Sequence, residues 1–171
     1  MSPMRRSAAA LGSIAWFAIA AAAGVVWAPW AITGFHVRYE LSGAWVLQAV
    51  GVVLMGVGLV PVVTTFVQFA RAGGTPVPGA LTERLVVTGF NRYVRNPIYV
   101  GVLLVVVGEA LLLGQPRLLV YAAAIWLGAA FFVRYYEEPA LARRFGSAYE
   151  EYRRAVPAWL PRMHGWSQPA Q

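Results

Sequence analysis

Residues 91–113, NRYVRNPIYVGVLLVVVGEALLL, pass abruptly from two arginines, two tyrosines and an Asn-Pro pair into an apolar run broken only by Glu109. Asn is a strong N-cap. Pro is favoured at the first helical position, where its fixed φ suits the helix and its missing N–H is not needed. Asn96-Pro97 therefore predicts a helix that starts at Pro97 and runs to Leu113. A helix that is hydrophobic all round belongs in a large core or in a bilayer, and the rest of the chain decides between them.

The composition favours the bilayer. Of 171 residues 59% are hydrophobic and 12% charged, whereas an ordinary soluble domain has about 25% charged residues. The length points to a single domain. Every acid is Glu and every base is Arg, with a formal net charge of +7 and no cysteine. This removes disulfides, thiolate chemistry and Cys-ligated metal. The arginines form no single basic face, so nucleic acid is not an expected partner.

Three further apolar runs flank the first. Residues 7–27 carry no charge and, at about 1.5 Å per residue, reach roughly 31 Å, the thickness of a bilayer core. Residues 42–70 are long enough to span with tilt, with a kink expected at Pro61. Gly43, Gly51 and Gly58 there lie on one face, where small residues let a neighbouring helix approach. Residues 118–133 are joined to 97–113 by Gly114-Gln115-Pro116-Arg117, which reads as a tight hairpin. The expected fold is an all-α integral membrane protein of about four transmembrane helices. The last two form the hairpin, 71–96 is a cytoplasmic loop, 134–162 is a cytoplasmic tail with short helices, and 163–171 is a flexible end.

Arginine placement sets the orientation. Arg5 and Arg6, then Arg71, Arg84, Arg92 and Arg95, then Arg134, Arg143, Arg144, Arg153, Arg154 and Arg162 fall on one side, against Arg38 and Arg117 on the other. The positive-inside rule makes the larger set, and with it both termini, cytoplasmic. A competing reading takes Arg5-Arg6, the first run and the alanines near residue 20 as a cleaved leader.

The polar chemistry gathers on that side. Arg92, Arg95 and Tyr99 surround the N-terminus of the 97–113 helix, whose free N–H groups and dipole favour an anion; contact with lipid phosphate fits them equally. Gly101, Val105, Gly108 and Glu109 share a helix face. A carboxylate in an apolar run is costly, so Glu109 is expected to meet a partner helix, a cavity or water. Glu137 and Glu138 gain nothing from a negatively charged leaflet, and so call for arginine partners or a cationic ligand. Pro139 predicts a bend or break at Glu138. Ser147-Ala148-Tyr149-Glu150 matches a capping box opening a last helix, with Tyr149 and Tyr152 on one side and Arg153 and Arg154 on the other. His36 and His164 are far apart in topology and make no metal site. No catalytic triad or phosphate-binding loop is visible.

RYVRNPIYVG, followed by YYEEPALARRFGSAYEEYRRAVPAWLP, resembles the isoprenylcysteine carboxyl methyltransferase family, its small bacterial members and the related phospholipid N-methyltransferases. The resemblance covers roughly residues 70–162. In that family an Arg-His-Pro-x-Tyr-x-Gly pattern and a later Glu-Glu element help enclose S-adenosylmethionine at the cytoplasmic face. The resemblance implies that Arg95, Asn96, Pro97, Tyr99, Gly101, Glu137, Glu138, Tyr149 and Tyr152 bind this cofactor, and that Arg95, Glu138 and Arg154 are catalytic. Asn96 stands where many members have His; Asn keeps a cap but does not titrate near neutral pH.

The cofactor's chemistry suits these residues. Glu137 and Glu138 match its sulfonium and ammonium, and Arg95 with the helix N-terminus matches its carboxylate. The expected acceptor is a membrane lipid or prenylated molecule. A carboxylate acceptor needs no base; an amine would use Glu138 or Glu109. Two readings compete: a sterol-reductase-like oxidoreductase using a reduced nicotinamide, and a non-catalytic membrane subunit or lipid binder. Oligomeric state is not legible.

Overall fold

The computed structural model describes residues 19, 21–39, 43–71, 85 and 87–167, with the side chains of 69–71 excepted. Most of the predicted first span, the leader reading, residues 72–84 and the extreme end lie outside these. Among the described residues every regular element is helical and there is no strand. The helices are α1 (Ala23–Thr33), α2 (Trp45–Arg71), α3 (Pro97–Leu113), α4 (Arg117–Phe132), α5 (Glu138–Phe145) and α6 (Ser147–Ala155). A π-helical turn, Val133–Glu137, joins α4 to α5, and a 3-10 turn, Gly89–Arg92, precedes α3.

Two stretches are long and apolar enough to cross a membrane, Trp45–Gln68 and Arg117–Phe145; α1 and α3 are shorter apolar helices. The second stretch runs through Pro139, where a bend or break was expected. Glu138 keeps helical angles, φ −59 and ψ −45. The π turn explains this. It moves the bonding partner from i−4 to i−5, as in Glu138 N–H to Val133 O, and so absorbs the donor that proline lacks. The capping box is also not formed. Gly146, at φ 55, ends α5 through its N–H to Ala142 O, and its carbonyl accepts from Tyr149 and Glu150 N–H. Ser147 is consequently already the first residue of α6, with Gly146 in the N-cap position.

The chain divides into two compact units. The second unit takes Ile19–Val62 and Ile98–Ala130. There α2 and α3 touch backbone to backbone: a Cβ on Gly58 would sit 2.5 Å from Gly101 O, and one on Gly51 2.5 Å from Gly108 O. Moving seven residues up α2 moves the contact seven residues down α3, so the helices run antiparallel. Gly51 and Gly58 thus form the predicted small-residue face, while Gly43, at φ 96, lies before α2 begins. Val106, Ala110, Leu113, Leu118 and Ala122 form a buried cluster shared by α3 and α4, with Val25 and Ile32 of α1 packed on it. Gly114, at φ 64, makes the turn between α3 and α4. Gln115 Nε2 donates to His36 O at 2.7 Å, and Arg38 N–H to Leu113 O at 2.8 Å. Glu109 is buried, and its Oε2 has no hydrogen-bond partner among the described residues.

Candidate functional site

The first unit, which takes Val63–Pro97 and Phe131–Gln171, holds most of the residues singled out in the sequence. Its core is aromatic: Tyr149, Tyr152 and Val156 are buried, with Leu85, Val87, Leu141, Phe145 and Trp166 packed around them. The amphipathic spacing of α6 places both tyrosines on its inner face.

Residues 91–96 are tied to the tail by a ladder of bonds. Arg95 N–H donates to Pro157 O at 2.9 Å, the Asn96 side-chain amide to Ala158 O at 3.1 Å, Arg162 N–H to Tyr93 O at 3.0 Å and Trp166 N–H to Arg92 O at 2.9 Å. The Tyr152 hydroxyl donates to Asn91 O at 2.7 Å. Asn96 thus combines the position before Pro97 with a tether to the tail. Arg92 donates through Nε to Trp166 O and through Nη2 to Ser167 Oγ.

Glu138 is the electrostatic centre. Its Oε1 accepts from Arg95 Nη1 at 2.6 Å, and its Oε2 lies 3.5 Å from Arg134 Nη1 and 3.7 Å from Arg153 Nε. Arg95 and Glu138 are 13% and 8% exposed, while Arg134 is 63% exposed. The first contact is therefore buried and strongly coupled, and the Arg134 contact is screened. Arg95 also reaches the Tyr149 hydroxyl at 3.3 Å. Burial pushes the Tyr149 and Tyr152 phenols up from 10.0, so both are neutral hydrogen-bonding groups at ordinary pH. Three guanidinium groups surround one carboxylate, and Arg153 also lies 3.6 Å from the exposed Glu150 on its outer side.

The expected site residues separate here. Arg95, Glu138, Tyr149 and Tyr152 are brought together, with Pro97 opening α3. Glu137 makes no ion pair among the described residues. Arg154 makes no ion pair with Glu138 and lines an open groove of about 550 Å³ with Ser147, Glu150, Glu151, Ala155 and Trp166. Tyr99 and Gly101 belong to the second unit, where the Gly101 backbone is pressed against Gly58. The sequence reading did not single out Arg134, although its i, i+4 spacing to Glu138 was visible, or Trp166, whose ring packs 5.7 Å from Tyr152.

The donor set fits S-adenosylmethionine. Arg95 Nε is buried without a hydrogen-bond partner among the described residues, which suits a carboxylate, and Glu137, which makes no ion pair among them, suits an ammonium or sulfonium.

Fold and site together define a chain whose described elements are all helical, two of them apolar and long enough to cross a bilayer, with a charged, aromatic site at which its two motifs meet. The chain belongs to the phospholipid methyltransferase family, which it matches over residues 46–148. It is also similar to the protein-S-isoprenylcysteine O-methyltransferase of Schizosaccharomyces pombe, 38% identical over 80 residues, which are 45% of this chain and 33% of that protein. It therefore spans about a third of the curated relative's length. No solved structure matches the chain.

Proposed function

We propose that the chain is an integral-membrane methyltransferase that takes its methyl group from S-adenosylmethionine and delivers it to a lipophilic acceptor at the cytoplasmic membrane face. The acceptor is an isoprenylcysteine-like carboxylate or a lipid. The observation that carries the reading is the buried 2.6 Å pair of Arg95 and Glu138, 43 residues apart in sequence, which joins the two motifs in a family of methyltransferases. The arginine distribution supports the cytoplasmic face and four spans.

When bound, the cofactor supplies an electrophilic methyl on a sulfonium. The chain's own residues bind and orient. Glu138 holds Arg95 in place through one carboxylate oxygen and draws Arg134 and Arg153 in with the other, which makes it a positioning residue. Arg95 presents its buried Nε to a carboxylate, Glu137 supplies the counter-charge for a cation, and Tyr149 and Tyr152 close the site with neutral aromatic surface. Gly101 serves by letting α3 approach α2. Methyl transfer is an in-line displacement, so its rate comes largely from alignment and from excluding water. With a carboxylate acceptor no base is required. With an amine acceptor Glu137 is the better base, because Glu138 is committed to three arginines.

The test is saturable binding of labelled S-adenosylmethionine to detergent-purified protein, with Arg95→Ala and Glu138→Gln alongside. Methyl transfer into lipid extracts and prenyl-cysteine analogues follows. Absence of saturable binding by the parent chain sinks the proposal, and loss of binding in both variants ties the motifs to one pocket.

A further inference from the structure

In the first unit, which also holds the Arg95–Glu138 pair, four buried polar atoms have no hydrogen-bond partner among the described residues: Thr65 Oγ1, Gln68 Oε1, Asn91 Nδ2 and Arg95 Nε. Thr65 is wholly buried and Asn91 is 4% exposed. Thr65 and Gln68 lie one helical turn apart on one face of α2. The Gln68 side chain lies directly against Gly89, where a Cβ would collide with its amide. Asn91 follows in the same 3-10 turn, and its carbonyl accepts from Tyr152, whose ring packs on Tyr149, the residue touching Arg95. The unsatisfied atoms thus line one connected stretch of the unit. Buried polar groups are nearly always paired, and leaving one unpaired costs stability, so a group of four calls for a reason.

The atoms divide by chemistry. Residues 91–95 offer two donors, Asn91 Nδ2 and Arg95 Nε; residues 65–68 offer two oxygen acceptors, Thr65 Oγ1 and Gln68 Oε1. Two donors four residues apart on one short segment, one of them charged, suit a carboxylate, and neutral oxygens suit an ammonium. We infer that Thr65, Gln68 and Asn91 complete, with Arg95, a subsite for an α-amino-acid zwitterion. Resting on the cofactor reading above, this is the site of the methionyl end of S-adenosylmethionine. None of the four atoms touches solvent, so the ligand enters by displacing side chains that cover them. Glu138 takes no part in holding the ammonium, because arginines surround it.

The test compares two ligands on the full purified chain. S-adenosylhomocysteine carries the amino-acid end, and 5′-methylthioadenosine shares the nucleoside and thioether but lacks it. Thr65→Val and Asn91→Leu are expected to weaken S-adenosylhomocysteine about tenfold or more and to leave 5′-methylthioadenosine unchanged. The unfolding midpoint without added ligand should hold or rise, since each variant removes an unsatisfied polar atom. Equal weakening of both ligands, or unchanged binding of S-adenosylhomocysteine, overturns the inference; a lowered midpoint with an unchanged affinity ratio marks plain packing and overturns it too. A parent chain that binds 5′-methylthioadenosine but not S-adenosylhomocysteine overturns the subsite alone. A parent that binds neither overturns the cofactor reading and this inference with it.

Discussion

Gly56 and Gly58 are two residues apart on α2, and the structure assigns them opposite responses to a single added methyl group. A Cβ on Gly56 would meet nothing within 4 Å, whereas one on Gly58 would lie 2.5 Å from Gly101 O, 2.9 Å from Leu104 Cβ and 3.0 Å from Val105 N. Two of these three neighbours are backbone atoms and cannot rotate away. Ordinary contact begins at 3.4 Å, so α2 and α3 must part locally by about 0.9 Å, the difference between that separation and the shortest of the three. Replacing a helical Gly by Ala gains about 0.5–1 kcal/mol of backbone entropy at either site, and overpacking a close contact costs about 1–3 kcal/mol. Gly56→Ala should therefore stabilise by up to about 1 kcal/mol, and Gly58→Ala should fall about 1–3 kcal/mol below it. Unfolding in detergent, followed by fluorescence of the chain's 7 tryptophans, measures the gap. Gly101→Ala should repeat the loss from the other helix, and the double variant should lose less than the sum, because both methyl groups push apart one contact. If Gly58→Ala and Gly56→Ala agree within about 0.5 kcal/mol, the close backbone crossing is wrong.

Glu138→Gln should cost about 3 kcal/mol, because it leaves Arg95, 13% exposed, without its charge partner; Arg134→Ala, at a contact 63% exposed on the arginine side, should cost less than about 1 kcal/mol. Denaturation of the two variants side by side checks the order. Tyr152→Phe should cost about 1–3 kcal/mol, since it strands the buried carbonyl of Asn91, and restored stability in that variant would point to a replacement donor. The Tyr152 phenol is raised above its ordinary 10.0 by burial. The stability it contributes is therefore complete below pH 10.0 and is lost as pH rises toward the folded value. The midpoint measured against pH should fall in that alkaline window, and less steeply in Tyr152→Phe.

How much was legible depended on the range of the forces involved. The start of α3 at Pro97 follows from neighbouring residues, and so does the reversal at Gly114 after Leu113, because capping and positive φ are local properties. The glycine face of α2 was visible as a spacing, although its partner was not: that Gly101, part of the signature pattern, lies against Gly58 requires two helices 43 residues apart to be aligned antiparallel. At Pro139 the local rule that disfavours helix before proline was met in part: Glu138 keeps helical angles, while the regular α register gives way to a π turn over Val133–Glu137. Ser147 misled because Gly146 took the cap position through its own backbone.

By itself, then, the amino-acid sequence determined the helical class, the apolar character of the long helices and the two motifs whose residues meet in the first unit. Each of these is a sum or a spacing over neighbouring residues. Only the tertiary structure decided that Arg95 and Glu138 meet at 2.6 Å, that Arg153 joins them while Arg154 lines a groove, and that Thr65, Gln68 and Asn91 keep polar atoms without partners among the described residues. The physical reason is that a pairing of charges, or the absence of one, is set by which distant segments share a buried volume, and adjacent residues of an α helix such as Arg153 and Arg154 point about 100° apart.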